Sequence, residues 1–330
     1  MATKRPRSIE IDEDKVPPRI PIPRGLGAGP NRPGFMPLRL LILIDMIKKA
    51  FAPPVEKYHN IDYFAGKCAI SKAFKAKGYG ALDIILNPLD DINSPVGFIR
   101  HLYAACHIAR GGLGCMGIVC STWVAINRGT SGRTAEDPLG RTWYPSVARA
   151  NLMLVRAVLI IHTILYHQGH WMLENPLSSI IDLAPRLATL MQHRVAHQTM
   201  TWLGMYGGTT QKPVKLFSSD KFVHRLYRKL ERSRFPKSNA TIKYRNARGE
   251  WKFKGSDQLK VSQVYPPKFG QAVATEWDTW AVQYPKNRKV IDYSNDLWND
   301  AKLDEVEAWL ENHLANRANK RRVDLWEVEG

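Results

Sequence analysis

The sequence predicts an α/β fold in which a mostly parallel sheet carries helices on both faces. From residue 58 onward, apolar runs of strand length alternate with segments of helical period, which is typical of parallel sheets. The 330 residues and 44% hydrophobic content suffice for a sizeable core, in one large or two small domains. Right-handed crossovers would align the carboxyl ends of the strands along one edge, where ligands bind in such sheets.

The periodicity predicts each element in turn. The predicted strands are 60–64, 80–85, 113–119, 171–174, 199–206 and 214–218. The predicted helices are 38–44, 70–77, 96–108, 147–167, 180–192, 265–281 and 301–315. The alternating stretch Thr241–Lys254 turns at Arg248-Gly249 and predicts a hairpin. These elements divide the chain into a Pro-rich basic arm (1–36), an α/β core (37–219), a basic aromatic insert (220–262) and C-terminal helices (263–330).

The formal net charge of +18 favours a polyanionic partner, most simply nucleic acid, although an inert basic surface is the alternative. The four cysteines form no CxxC pair or zinc-spaced cluster, so we expect no metal and a reducing, intracellular compartment. No secretory signal opens the sequence, and the apolar run 38–44 is too short to cross a bilayer, so no membrane partner is expected. Lys4-Arg5-Pro6-Arg7 is a candidate nuclear address, and a solvated tail is the simpler interpretation.

A glycine turn follows the first predicted strand. Phe64-Ala65-Gly66 lies between that strand and a helix, where glycine lets the backbone approach a ligand. A nucleotide-like ligand also needs an acid for its ribose hydroxyls, and Asp83 ends the next strand. Asp91, with Ile92 after it, is a candidate for the adenine edge. The simpler alternative is a tight strand–helix connection, because one glycine turn has little specificity.

Cys120 and Glu174 each leave a buried strand at the same predicted edge. A cysteine at such a point is a candidate thiolate nucleophile, and a small buried hydrophobe is the alternative. Arg128 and Arg133 follow it in a polar loop and are candidates for phosphate contacts. Glu174 ends the apolar run Trp171-Met172-Leu173, so partial desolvation would suit a general acid, and a helix cap is the alternative.

These residues together resemble the cytosine carbon-5 DNA methyltransferases. The Asp-x-Phe-x-Gly motif is matched from Asp62 to Gly66, although Cys68 stands where a second glycine is expected. Cys120-Ser121-Thr122-Trp123 resembles the nucleophile loop, with Val119 in place of proline, and Glu174-Asn175-Pro176 resembles the Glu-Asn-Val element. Asp91-Ile92 resembles the adenine contact, and the stretch 265–269 resembles the opening of the late helix.

The resemblance implies a Rossmann-like class I methyltransferase that uses S-adenosylmethionine. It implies Cys120, Glu174 and Asn175 as catalytic residues. It implies cofactor contacts from Asp62, Phe64, Ala65, Gly66, Asp83, Asp91 and Ile92. DNA rather than RNA is the implied partner, with flipping or a single strand exposing the base. The basic residues expected to contact it are Arg128, Arg133, Lys212, Lys215, Arg225, Arg228, Lys243 and Arg245. Among these, Lys212 and Lys215 are the nearest substitutes for the family's Gln-x-Arg-x-Arg element.

Two alternatives stay open. One is an inactive relative that binds nucleic acid, in the setting of a mobile element, since the second glycine and the arginine element are missing. The other is methylation of an exocyclic amine, which is disfavoured because Val-Cys-Ser-Thr-Trp replaces the Asp/Asn-Pro-Pro-Tyr/Phe loop of that chemistry.

Overall fold

The computed structural model describes residues 38–51, 58–85, 87–193, 196–231, 235, 241–256, 262–283 and 300–316. The predicted arm 1–36 and the basic stretch 4–7 lie outside the described residues. The helices are α1 (Leu38–Ala50), α2 (Ala69–Ala76), α3 (Pro95–Cys106), α4 (Arg128–Ser131), α5 (Pro145–Tyr166), α6 (Pro185–His193), α7 (Pro267–Gln283) and α8 (Leu303–Asn316). The strands are β1 (Tyr58–Tyr63), β2 (Ala81–Ile84), β3 (Ile108–Met116), β4 (His170–Pro176), β5 (His197–Trp202), β6 (Pro213–Ser218), β7 (Thr241–Arg245) and β8 (Trp251–Gly255).

The main sheet has six strands in the order β2-β1-β3-β4-β6-β5. Strands β2, β1, β3 and β4 pair in parallel, whereas β6 is antiparallel to both β4 and β5. The chain moves outward from β1 to β2 and then returns to place β3 on the other side of β1. This reversal between β1 and β3 is a topological switch point, where open α/β sheets form a crevice at the carboxyl ends of the strands.

Helices cover both faces of the sheet, as predicted, and the fold is Rossmann-like, consistent with that of methyltransferases. One core cluster joins α1, α3, α5, α6 and α8 to one face, and a second cluster joins α2 and α7 to the other. Strand β4 is buried on both faces, which explains its unbroken apolar run Trp171-Met172-Leu173.

Local signals fix where the helices begin. Ser94 caps α3, because its hydroxyl accepts a hydrogen bond from the Gly97 amide at 3.0 Å, and Pro95 opens the helix. Pro145 opens α5 in the same way. By length and composition α5 is able to cross a membrane, but 78% of its most apolar stretch is buried inside the protein, as in the core helix of a soluble domain.

The predicted hairpin is confirmed as the two-stranded sheet β7–β8, which turns at Gly249 with a positive φ of 75°. Most predicted strands and helices occur within a few residues of their expected bounds. The third strand differs most: it begins at Ile108 and ends at Met116, so Gly117 to Cys120 form an irregular extension beyond the sheet. The four-part division of the chain stays a prediction.

Candidate active site at the carboxyl edge of the sheet

Glu174 lies at the carboxyl end of β4 and is only 6% exposed. Its Oε2 accepts a hydrogen bond from the Tyr265 hydroxyl at 2.7 Å. Its Oε1 lies 3.5 Å from the Lys212 ammonium nitrogen. One carboxylate thus meets a neutral donor on one oxygen and a cation on the other.

Asn175 ties the end of β4 to the segment that leads to Cys120. The side chain is fully buried, and its Nδ2 donates to the Ile118 carbonyl at 3.2 Å. Because β3 and β4 have already stopped pairing at this point, the amide replaces the missing ladder contact. Asn175 therefore positions the segment 117–120 relative to Glu174.

Cys120 is half-buried, and its carbonyl accepts hydrogen bonds from the amides of Trp123 and Val124 at 2.8 and 3.2 Å, which closes a tight turn. Burial raises the pKa of the Cys120 thiol; the Glu174 carboxylate raises it further, and the Lys212 ammonium lowers it. Glu174 and Lys212 therefore act on the thiol with opposite signs. Cys120 rests as a thiol, so a nearby base must remove its proton before the sulfur can attack.

Lys212 belongs to this site rather than to a nucleic-acid surface, where its sequence position placed it. It precedes β6 in the loop from β5, with a left-handed φ of 31° that is rare for a side chain larger than glycine. Its side chain is 18% exposed, and its ammonium lies 5.6 Å from the centre of the Tyr265 ring. Strained backbone of this kind clusters at functional sites.

Tyr265 is the site residue that sequence reasoning missed as a functional group. The sequence motif includes Tyr265 only as the first residue of the stretch 265–269 that opens the late helix. The position before Pro266-Pro267 was the available signal, because proline restricts the preceding residue to extended backbone and so directs its side chain. Its hydroxyl reaches Glu174 across 91 residues of sequence.

The loop after β1 has the shape of a ligand-binding turn. Phe64, Gly66 and Cys68 have positive φ values of 61°, 54° and 58°. The Ala65 amide donates to the Ile84 carbonyl at 3.0 Å, which fixes the loop to β2. A Cβ on Gly66 would have no heavy atom within 4 Å, so the backbone there faces open space.

Asp62 does not face that open space. The carboxyl group is 1% exposed and accepts a hydrogen bond from the Ser71 amide, 3.3 Å away at the start of α2. Burial raises its pKa to about 7, against the lowering effect of this backbone hydrogen bond. The predicted cofactor contact is therefore wrong for the Asp62 side chain, which instead holds α2 against β1.

Asp83 is also turned toward α2. Its carboxylate pairs with the Lys75 ammonium at 2.5 Å and lies 3.6 Å from the Cys68 sulfur. Burial acts to raise the pKa of Asp83, but the hydrogen bond and charge of Lys75 outweigh it and lower the pKa below its ordinary value. Lys75 is half-exposed, and an ion pair with such a partner contributes only about 1 kcal/mol, so ribose hydroxyls can compete for Asp83.

The predicted adenine contact is not formed by Ile92, which is 1% exposed and packed in the larger core cluster. Asp91 pairs with Arg149 at 2.8 Å and accepts the Asn93 amide at 3.0 Å. The ion pair joins the segment before α3 to α5, and the hydrogen bond closes the turn that leads into α3.

Open space for a ligand such as S-adenosylmethionine is therefore present beside Gly66, next to the switch point. Asp83 would hold such a ligand if its carboxylate exchanged the ion pair with Lys75 for ribose hydroxyls. Within the described residues, no three His, Cys, Asp or Glu side chains gather as a metal site would require.

The predicted basic contacts fall into two groups. Arg133 is wrong as a phosphate contact, because it is fully buried, stacks 3.4 Å from the centre of the Trp123 ring and donates to Thr122 at 3.0 Å. Lys215 is wrong for the same reason, since it is 9% exposed and pairs with Asp182 at 2.7 Å. Both side chains hold the nucleophile loop and the end of the sheet in place.

The remaining predicted cations are exposed, namely Arg128, Arg225, Arg228, Lys243 and Arg245. On the hairpin, Lys243 and Arg245 lie 4.2 and 4.8 Å from the centre of the Trp251 ring, which is 53% exposed. Cations beside an exposed aromatic ring are what single-stranded nucleic acid binds. Arg225 lies 3.7 Å from Glu276, which neutralises part of its charge.

A cavity of about 290 Å³ lies at the opposite edge of the sheet. It is lined by residues around the end of α3 and the end of α5, including Cys106, Arg110 and His167. Cys120 and Glu174 are not among its lining residues. It therefore does not belong to the site described above.

No protein-family model matches the sequence, and no curated protein matches it. Among solved structures, the chain is similar to the crystal structure of S. pombe Dnmt2 methyltransferase, with 11% sequence identity and a TM-score of 0.28. The similarity covers 49% of this chain and 49% of that chain, about half of that protein's length. At this TM-score the similarity has no bearing on activity or substrate.

Proposed function

We propose that the protein is an S-adenosylmethionine-dependent methyltransferase that modifies carbon 5 of cytosine in nucleic acid, DNA rather than RNA. One observation carries the proposal: Glu174 at the end of β4 lies beside Lys212 of the loop before β6, and both charges act on the Cys120 thiol at the carboxyl edge of the sheet. A sulfur nucleophile, a carboxyl group and a cation are what addition to a cytosine ring requires.

The proton balance of the addition follows from these three groups. Cys120 starts as a thiol, and the Glu174 carboxylate accepts its proton. The thiolate sulfur then forms a bond to carbon 6 of the base while Glu174 gives the same proton to ring nitrogen N3. Lys212 assists the first transfer, because its charge lowers the pKa of the thiol. The net charge of the site is unchanged, which suits a site with a buried carboxylate.

S-adenosylmethionine supplies an electrophilic methyl group when bound. Phe64, Ala65 and Gly66 would hold it, together with Asp83. Asn175 keeps the Cys120 segment at a fixed distance from Glu174 through the Ile118 carbonyl. Arg133 supports the turn after Cys120 by stacking on Trp123.

The nucleic-acid partner is supported by the exposed cations of the hairpin and of the nucleophile loop. Lys243, Arg245 and Arg128 supply charge, and Trp251 supplies a stacking surface. A base inside a duplex would have to flip out at a cost of a few kcal/mol, whereas a single strand exposes it already.

The test is a covalent trap. Purified protein is incubated with labelled S-adenosylmethionine and single-stranded or duplex oligonucleotides, DNA and RNA, that contain 5-fluorocytosine. Fluorine at carbon 5 cannot leave as a proton does, so the bond between Cys120 and carbon 6 persists. A denaturation-resistant complex is expected, with DNA labelled faster than RNA.

Two cysteine variants make the trap specific. Cys120→Ser should abolish the complex, whereas Cys106→Ser, which changes a half-buried cysteine at the opposite edge of the sheet, should leave it intact. A complex that survives in Cys120→Ser would refute the assigned nucleophile. Absence of cofactor binding by calorimetry would refute the methyltransferase proposal.

A second candidate function is nucleic-acid binding without catalysis. It is favoured by the inward orientation of Asp62 and Asp83 and by the raised pKa of the Cys120 thiol. It predicts tight, salt-dependent oligonucleotide binding with no cofactor binding and no trapped complex.

A further inference from the structure

We propose that Tyr265 is a positioning residue for Glu174: its hydroxyl holds Oε2, so that Oε1, beside Lys212, is the oxygen presented to the ring nitrogen of the substrate. This inference rests on the proposed function. Its geometric part concerns the resting protein and can be tested without any reaction.

The hydrogen bond from Tyr265 to Glu174 is short, and its acceptor is buried. The Tyr265 oxygen lies 2.7 Å from Oε2 of a carboxylate that is 6% exposed. A hydroxyl has one proton to donate, and an ionised carboxylate only accepts, so the direction of this bond is fixed while Glu174 is charged. One of the two carboxylate oxygens is thereby committed before a substrate arrives.

Tyr265 is itself held from two sides. A Cβ on Gly117 would lie 2.7 Å from the Tyr265 oxygen, which is closer than a Cβ atom normally approaches another heavy atom. The hydroxyl therefore occupies space that is free because residue 117 has no side chain. The Tyr265 ring packs on Phe269, with 5.3 Å between ring centroids. Phe269 is fully buried in the first turn of α7, and a Cβ on Gly270 would lie 2.1 Å from the Ala69 carbonyl, so α7 is seated tightly on α2.

The other oxygen is left for chemistry. Oε1 is buried and accepts no hydrogen bond from the part of the chain that the structure describes, and the Lys212 ammonium lies 3.5 Å away. A buried acceptor without a hydrogen bond is costly, which makes Oε1 the atom best served by an incoming donor or proton. The lysine can release Oε1 when a base enters, because part of its side chain remains in contact with solvent. Tyr265 cannot withdraw as easily without moving α7.

Tyr265→Phe removes the hydroxyl and keeps the ring, and Tyr79→Phe is the matched control. The Tyr79 hydroxyl also donates to a carboxylate, that of Asp278 on the same helix α7. In the proposed reaction Tyr265→Phe should lower kcat roughly tenfold or more with little change in KM, because it disturbs a proton donor rather than substrate binding. Tyr79→Phe should leave both constants unchanged.

The reaction-independent measurement is the pH dependence of Cys120 alkylation by iodoacetamide in the free protein, with the signal of Cys120→Ser subtracted. Glu174 and Lys212 are the charged groups that act on this thiol. The hydroxyl dipole offsets part of the Glu174 charge, so removing it should move the alkylation midpoint upward. Gly117→Ala, which crowds the same hydroxyl, should move it in the same direction.

The outcomes separate the two proposals. An upward shift of the alkylation midpoint in Tyr265→Phe but not in Tyr79→Phe supports the positioning role. This holds even if neither the wild type nor any variant methylates a substrate, because the absence of methylation would remove only the proposed function. An unshifted midpoint in a Tyr265→Phe protein that unfolds at the wild-type temperature overturns the positioning role. An unchanged kcat in an active enzyme overturns it as well.

Discussion

Replacement of Asp62 by asparagine should stabilise the protein at alkaline pH and lose that advantage in acid. The Asp62 carboxyl group is 1% exposed, and burial raises its pKa from an ordinary 3.8 to about 7. In the unfolded chain the carboxyl group ionises near pH 3.8. Between pH 3.8 and about pH 7 the native state therefore keeps a proton that the unfolded chain has lost. Stability therefore falls as pH rises through this window. Asparagine has the same shape, carries no charge and can still accept the Ser71 amide.

The magnitude follows from the two pKa values. A shift of one unit corresponds to about 1.4 kcal/mol, so the full window of about three units is worth about 4 kcal/mol. Between pH 5 and pH 8 the wild type should lose about 3 kcal/mol relative to Asp62→Asn. Asp83 and Lys75 act on the Asp62 pKa in opposite directions, and both remain in the variant.

Urea unfolding followed by tryptophan fluorescence at pH 5, 6, 7 and 8 measures this difference. Asp45→Asn is the control, because Asp45 is exposed on α1 and pairs with Lys49 in the next turn. We expect no pH-dependent difference between that variant and the wild type. If the stability difference between Asp62→Asn and the wild type were constant from pH 5 to pH 8, Asp62 would not be a protonated, buried acid and the reasoning would be refuted.

Three further outcomes are expected. Arg133→Met should destabilise the protein by about 2–4 kcal/mol in urea unfolding, because a buried hydrogen-bonding and stacking side chain is lost; a change near zero would contradict its burial. Lys243→Ala should reduce the slope of log affinity against log salt by about 1 in anisotropy titrations with single-stranded DNA, whereas an unaltered slope would exclude a phosphate contact. Glu174→Gln should lower the Cys120 alkylation midpoint and Lys212→Met should raise it, and shifts of the opposite sign would contradict the influence of these two charges on the thiol.

The sheet was predictable because its strands are strongly apolar and are bounded by clear turns. The buried run of β4 and the alternating hairpin around Gly249 are signals within a single segment. The irregular extension from Gly117 to Cys120 was not predictable from periodicity. Its shape depends on the Asn175 amide and on the Tyr265 hydroxyl, which come from distant parts of the chain.

The same distinction applies to the site. Cys120 and Glu174 were found because each follows a buried strand. The side chains whose roles were misjudged are those whose partners the sequence pattern does not indicate: Lys215 pairs with Asp182 and Lys212 faces Glu174 on other segments, and Arg133 folds back onto Trp123 of its own loop. A basic residue near a predicted edge has the same sequence signature whether it points to solvent or to a buried acid.

Cys68 stands where the resembling family has glycine, yet its backbone is left-handed, with φ of 58°. Glycine would take this place without any movement of the main chain. Phe64, Gly66 and Cys68 all have positive φ, although only one of the three is glycine. A single glycine in the sequence therefore understates how much of this turn is left-handed.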